Sequence, residues 1–342
     1  MMISRRQFLK YCSIAAGAIG LTATDLMKLE NAMAADGGLP VIWIAGQACT
    51  GCSTSLLNSV YYQTIQELLL LGTPAQTLDL KMHETVMAAM SNEATQQAGL
   101  TASAFALVVE GSIPADGLGV PKDGYCQIGS YSGAASEEVG DVVSYLAGHA
   151  NCAAILTVGT CSSYGGVPAA AGNQTGARSV LGYLGSSFRK KTICIPGCPP
   201  NPNWIVGTVA YLLANGLAMP ALDSLRRPRT FYGERICNSC DRFATSKTGQ
   251  VDGFVGITGA AAMRVTQPEM IGSPAQNVPG GRCLKKAGCK GSRTKSDCSL
   301  RKWHSPGYGM TGVNWCVGAG APCQGCTQNF FPDRMSPFYY IT

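Results

Sequence analysis

Sixteen cysteines stand among 342 residues, and their spacing is the first chemical signal. Cys49-x2-Cys52 opens near the N-terminus, far from Cys161 and Cys198. Cys237-x2-Cys240, Cys283-x5-Cys289, Cys298, Cys316 and Cys323-x2-Cys326 then crowd eight sulfurs into the 90 residues from Cys237 to Cys326. Thiolate is the soft ligand that zinc and iron-sulfur clusters share. A structural zinc site would repeat a compact pair of C-x-x-C motifs, whereas these irregular gaps suit cuboidal clusters better. Twelve cysteines divide into three sets of four, with zinc and disulfides left open as alternatives on spacing alone. Cys126, Cys152 and Cys194 fall outside the sets and read as small buried apolar side chains.

The elements that must position these sulfurs are visible as short apolar runs alternating with helical patterns. Residues 39–45, 105–109, 153–158 and 192–195 read as buried strands. Residues 53–71, opened by Ser53 at the cap, 136–147 and 203–217 read as helices. This alternation predicts an α/β domain with a mostly parallel, doubly wound sheet. Cys49 and Cys52 follow the first strand, Cys161 the third and Cys198 the fourth, each in a loop containing Gly or Pro. In an open parallel sheet those loops share the carboxyl edge, where such folds bind ligands. Beyond about residue 224 no sustained period remains, and metal clusters are the expected source of stability there.

The N-terminus points to a compartment. Ser4-Arg5-Arg6-Gln7-Phe8-Leu9-Lys10, an Ala- and Gly-rich stretch and then Ala32-Met33-Ala34 read as a twin-arginine signal peptide spanning residues 1–34, removed on export to the periplasm. Its apolar stretch of about 13 residues is too short for a span, which needs ~20. That route carries folded proteins, so it favours metal over disulfide as the use of the cysteines. Residues 204–222 are long and apolar but contain Asn215, two glycines and Pro220, and read as a buried helix and its end. No membrane span is therefore expected in the mature chain.

With 46% hydrophobic and 13% charged residues, the composition excludes a disordered chain. The net charge of +6 is partly local: residues 282–302 hold eight Lys or Arg against one Asp. No aromatic-basic repeat or helix-turn-helix pattern accompanies that run, so nucleic acid is not an expected partner.

Several segments resemble a known family. Gln47-Ala48-Cys49-Thr50-Gly51-Cys52-Ser53, Val109-Glu110-Gly111-Ser112-Ile113-Pro114, Val158-Gly159-Thr160-Cys161 through Gly166, and Pro196-Gly197-Cys198-Pro199-Pro200 are similar to the small subunit of nickel-iron hydrogenases. So are Gly288-Cys289-Lys290-Gly291, Asn314-Trp315-Cys316, Pro322-Cys323-x2-Cys326 and Ser336-Pro337-Phe338-Tyr339, in the family's order from about residue 40 onward. The resemblance implies a flavodoxin-like domain over residues 35–223 holding a proximal 4Fe-4S cluster through Cys49, Cys52, Cys161 and Cys198. It implies an irregular, cluster-stabilised domain over 224–342. There Cys237, Cys240, Cys283 and Cys289 would hold a distal 4Fe-4S cluster, and Cys298, Cys316, Cys323 and Cys326 a medial one. Hydrogen would be split on a large subunit, which bears the nickel-iron centre. This chain would pass single electrons to or from a cytochrome or other carrier, and would hold no catalytic residue itself.

The resemblance has departures. The family usually has a histidine where Cys237 stands, so either the distal set is all-cysteine, which is the expectation, or Cys237 is a spectator and the cluster finds another ligand. Many members carry a proline in place of Cys316, leaving a 3Fe-4S medial cluster; Cys316 completes a cubane, as in the nickel-iron-selenium relatives. Gly51 and Gly166 occupy places where oxygen-tolerant members have additional cysteines, and Ala48 a place where many members have glutamate. Glu110 is expected either to orient backbone or water near the proximal cluster or to hold its own loop. The basic run 282–302 either attracts an acidic cytochrome or offsets the negative charge of the clusters.

Overall fold

The computed structural model describes residues 28, 39–59, 78–84, 104–115, 124–128, 137–243, 283–303 and 313–338. The expected signal peptide, apart from Lys28, and the 60–71 part of the expected first helix lie outside them.

Five strands make one sheet: β1 (Leu39–Ala45), β2 (Leu78–His83), β3 (Phe105–Glu110), β4 (Cys152–Val158) and β5 (Thr192–Ile195). Their order is β2-β1-β3-β4-β5, with every neighbouring pair parallel. This is the flavodoxin-like doubly wound order. Parallel neighbours cannot be joined by a tight hairpin, so the connections cross the faces and bury both of them. The helices are α1 (Gly51–Leu57), α2 (Val139–Gly148), α3 (Thr160–Tyr164), α4 (Val180–Leu184), α5 (Pro202–Ala214) and α6 (Arg229–Tyr232), with one further turn of helix at Cys298–Arg301. Strand alternation sorts the core into two halves. Val41 and Trp43 pack with Leu156, Ile193 and the Trp204, Ile205 and Val209 side chains of α5. Ile42 and Ile44 pack on the opposite face with Leu107 and the Val142, Val143 and Leu146 side chains of α2. Each such aliphatic side chain contributes roughly 1.5–3 kcal/mol by leaving water.

The expected strands agree with those observed to within one residue, and the sheet adds β2. Its Leu78-Asp79-Leu80-Lys81-Met82 alternation is the period of a strand with one wet face, as suits the sheet's edge. Helix α5 starts on Asn201, whose side chain accepts the Asn203 N–H at 3.0 Å, with Pro202 in its first turn. It stops before the expected residue 217, because Gly216 and Leu217 both turn left-handed, at φ 57° and 64°. Ser53 is not the cap of α1. Thr50 is, in a left-handed conformation, and Ser53 sits buried inside the first turn.

Past α6 the described chain is a series of short turns around a small core of Ile236, Leu284, Ala287, Trp315, Val317 and Cys323. Polar contacts tie it to the sheet domain. The Trp204 indole donates to Asp297 at 2.7 Å, and the Asp297 N–H donates to the Phe231 carbonyl at 2.9 Å. Arg227, 2% exposed, pairs with Asp223 at 2.7 Å and donates to the Thr327 carbonyl at 3.0 Å.

Candidate metal centres

The first set forms where the strand order switches direction, between β1 and β3, the place at which open α/β sheets take ligands. The chain leaving β1 is held to the chain leaving β3: Gly46 N–H donates to the Glu110 carbonyl at 2.7 Å and Gln47 N–H to the Ser112 carbonyl at 2.8 Å. Glu110, 1% exposed, then organises the Cys49–Cys52 loop. Its carboxylate accepts the Cys52 and Ser53 N–H groups, both at 3.0 Å, the Trp43 indole at 3.2 Å, and the Ser53 hydroxyl. Cys161 arrives in α3, directly after β4, and Cys198 in the loop after β5. Glycine makes the approach possible. A Cβ on Gly159, φ +94°, would stand 2.5 Å from Cys52 Sγ, and one on Gly166 2.8 Å from Cys161 Sγ.

Cys49, Cys52, Cys161 and Cys198 thus face one another. Burial first, then the Glu110 carboxylate and the other three sulfurs, push the Cys52 thiol far up. Cys161 is raised to about 11 by burial, with Cys198 and Cys49 adding to it. Cys49 and Cys198 are exposed, as are Thr50 and Pro199, so this set opens on the surface.

Cys237, Cys240, Cys283 and Cys289 form a second group. Burial raises Cys237 to about 12, followed by the effect of Cys289, Cys240 and Cys283. A Cβ on Gly291 would lie 3.3 Å from Cys237 Sγ and 3.6 Å from Cys289 Sγ, so the two sulfurs flank one glycine. The third group lies around Cys326, raised to about 12 by burial and then by Cys316 and Cys198. Cys298 is pushed up by burial and by Cys326 and Cys323.

These three groups touch in series. The Cys323 N–H donates to Cys289 Sγ at 3.3 Å, and the Lys290 N–H to the Cys323 carbonyl at 2.7 Å. At the other end the Thr160 hydroxyl, one residue before Cys161, donates to the Cys326 carbonyl, and the Thr160 N–H donates to the carbonyl of Gly197, one residue before Cys198. The Cys298–Cys326 group therefore stands between the other two.

The donor sets fit iron-sulfur clusters. All fifteen described cysteines are free thiols. Among the described residues no three Cys, His, Asp or Glu side chains close around a point as they would on one ion. Buried thiols crowded this way resist ionisation, and a cationic centre among them supplies the missing compensation.

Each of the twelve cysteines singled out by spacing lies near at least one other of them. Cys152 and Cys194, 4% and 1% exposed, lie in the sheet, and Cys126 packs on the α2 side of the core. Gly51 and Gly166 abut Cys49 and Cys161. The 282–302 run is not one exposed patch: Lys290 is buried and donates to the Pro337 carbonyl at 2.8 Å, and buried Arg301 pairs with Asp297 at 2.6 Å. Lys285, Lys286 and Arg293 are exposed. Spacing gave no hint of Thr160, of Arg227 with Asp223, or of the Trp43, His83 and Ser53 side chains around Glu110, because hydroxyls, ion pairs and indoles carry no ligand pattern.

Two family models match the chain: NADH ubiquinone oxidoreductase, 20 Kd subunit, over residues 49–212, and the C-terminal region of the NiFe/NiFeSe hydrogenase small subunit, over residues 265–339. The periplasmic nickel-iron-selenium hydrogenase small subunit of Desulfomicrobium baculatum is 34% identical over 99% of this chain and 99% of its own. The chain belongs to the nickel-iron and nickel-iron-selenium hydrogenase small subunits. Hydrogenase-2 small chain of Escherichia coli is 33% identical over 95% of this chain and 77% of that one. Among solved structures, the reduced, active nickel-iron-selenium hydrogenase of Desulfomicrobium baculatum superposes with a TM-score of 0.69, covering 89% of this chain and all of that one at 34% identity. The oxidised nickel-iron-selenium hydrogenase of Desulfovibrio vulgaris Hildenborough gives 0.70, 89% and 98% coverage, at 35% identity. As a hydrogenase small subunit, the chain is the iron-sulfur-containing, electron-transferring part of an oxidoreductase acting on H2, and works with a large subunit. No described helix is long and apolar enough to cross a membrane.

Proposed function

We propose that this small subunit relays electrons through three 4Fe-4S clusters. Cys49, Cys52, Cys161 and Cys198 hold the proximal one; Cys298, Cys316, Cys323 and Cys326 the medial one; Cys237, Cys240, Cys283 and Cys289 the distal one. The single observation that carries the reading is the serial linkage of the three groups, through the Thr160 hydroxyl on the Cys326 carbonyl and the Cys323 N–H on Cys289 Sγ. When bound, the clusters supply reversible one-electron storage. The residues of the chain hold them in line and keep water from them: Cys298, Cys323 and Cys326 lie within the fold, while the exposed Cys49–Cys198 edge supports a docking face for the large subunit. An external cytochrome or other carrier would meet the chain at the Cys237 end. Residues 1–34 act as a twin-arginine signal, residues 35–223 form the proximal domain and 224–342 the domain of the other two clusters.

Two experiments test this. In the purified heterodimer, Cys240→Ala should abolish H2-driven dye reduction while leaving hydrogen-deuterium exchange at the large subunit largely intact; loss of both in equal measure would contradict a relay role. Replacing Arg5 and Arg6 by Lys should leave the assembled complex in the cytoplasm, and unimpaired export would remove the signal assignment.

A further inference from the structure

Where the proximal group meets the middle one, a single side chain bonds to both. Thr160 is 1% exposed and its hydroxyl is used twice. It accepts the Gly197 N–H at 3.0 Å and donates to the carbonyl of Cys326, 166 residues away. The Thr160 N–H in turn donates to the Gly197 carbonyl at 3.0 Å, so two reciprocal bonds lock the residue before Cys198 to the residue before Cys161. The backbone next to Cys161, the backbone next to Cys198 and the carbonyl of Cys326 are therefore tied together by one threonine. Valine has the shape of threonine without the hydroxyl, and would leave the Gly197 N–H and the Cys326 carbonyl facing a methyl group.

Resting on the relay reading, we propose that Thr160 is a positioning residue that sets the electronic contact between the proximal and medial sets by tying the Cys198 loop to the Cys326 carbonyl. Tunnelling between two centres weakens steeply with each added gap and less steeply through bonds and hydrogen bonds. Loosening this bridge should therefore reduce the coupling between the two sets.

The test compares the parent heterodimer with Thr160→Val and Thr160→Ser. Iron is counted in each, the potentials are titrated by electron paramagnetic resonance, and the spin-coupling splitting between the two sets and the rate of electron arrival at the medial set are measured. Parent protein lacking two distinct cluster signals would overturn the relay reading itself. With those signals present, Thr160→Val should keep its iron, show a narrowed splitting and transfer slowed several-fold, and Thr160→Ser should match the parent. Unchanged splitting and rate in an iron-replete Thr160→Val would overturn the proposal. Should Thr160→Val lose iron, Thr160→Ser decides: parental iron and splitting support the hydroxyl clip, and a matching loss in Thr160→Ser, which keeps the hydroxyl, overturns it.

Discussion

Glu110 accepts the backbone N–H of Cys52 at 3.0 Å, joining the end of one strand to a loop 58 residues earlier. The same buried carboxylate takes the neighbouring Ser53 N–H and hydroxyl and the Trp43 indole, so four donors converge on one charge. These bonds hold the backbone of the Cys49–Cys52 loop and fit both expectations for Glu110. Glu110→Gln replaces one acceptor oxygen with an amide that faces donors. Stability should fall by about 1–3 kcal/mol, the cost of leaving buried polar groups unpaired, with iron lost first from the proximal set. Thermal unfolding and an iron count check this; a variant with parental melting and iron would show that the carboxylate's charge is dispensable.

Gly159→Ala should damage the proximal set more selectively. The φ of +94° disfavours any side chain, and the added Cβ would stand 2.5 Å from Cys52 Sγ. The expected result is loss of about four irons, one cubane, with far-ultraviolet circular dichroism unchanged. Full iron content would mean that the Cys52 thiol moves aside without consequence.

His83 gives the fold a pH dependence. Its ring stacks on Trp43 at 4.9 Å between centroids and its Nε2 lies 3.3 Å from Ser53 Oγ. Burial pushes its pKa down to about 4 from the ordinary 6.5. The folded state thus prefers the neutral ring, and this contribution is whole above about pH 6.5 and is lost as pH falls toward 4. At about 1.4 kcal/mol per unit, the full effect is on the order of 3 kcal/mol. Glu84, raised to about 7 by burial, titrates across the same interval, so the comparison must be with His83→Phe, which keeps Glu84. The stability difference between parent and His83→Phe should be flat above pH 7 and move in favour of the variant between pH 6.5 and 4. A difference constant down to pH 4 would mean that His83 titrates alike in both states.

Cys237 is the residue at which the distal set departs from the family's usual histidine. A thiolate carries one more negative charge than neutral imidazole and so disfavours the added electron. Cys237→His should keep the cluster and raise its potential, and Cys237→Ala should open or lose it. Redox titration with iron counted in each variant checks both, and an unchanged distal signal in Cys237→Ala would remove Cys237 from the ligand set.

What the sequence shows and what it hides follow from range. The strands at 39–45 and 192–195 are legible because they are buried on both faces and read as unbroken apolar runs. The loops after them are legible because parallel topology brings carboxyl ends together. Leu78–His83 announces itself only by alternation, a weaker signal over six residues. Ser53 has the chemistry of a cap, but Thr50 turns left-handed and Glu110 supplies acceptors from across the sheet, which no local pattern encodes. Thr160 is hidden for the same reason: its partners, Gly197 and Cys326, lie 37 and 166 residues away.

Iron and acid-labile sulfide counted in the purified, anaerobic heterodimer test the central claim most directly. Three cubanes on twelve cysteines require about twelve iron and about twelve sulfide attributable to this subunit, with no signal of an oxidised 3Fe-4S centre. About eleven iron with such a signal would strike Cys316 from the medial set. About four iron, or zinc in place of iron, would contradict the three-cluster relay altogether.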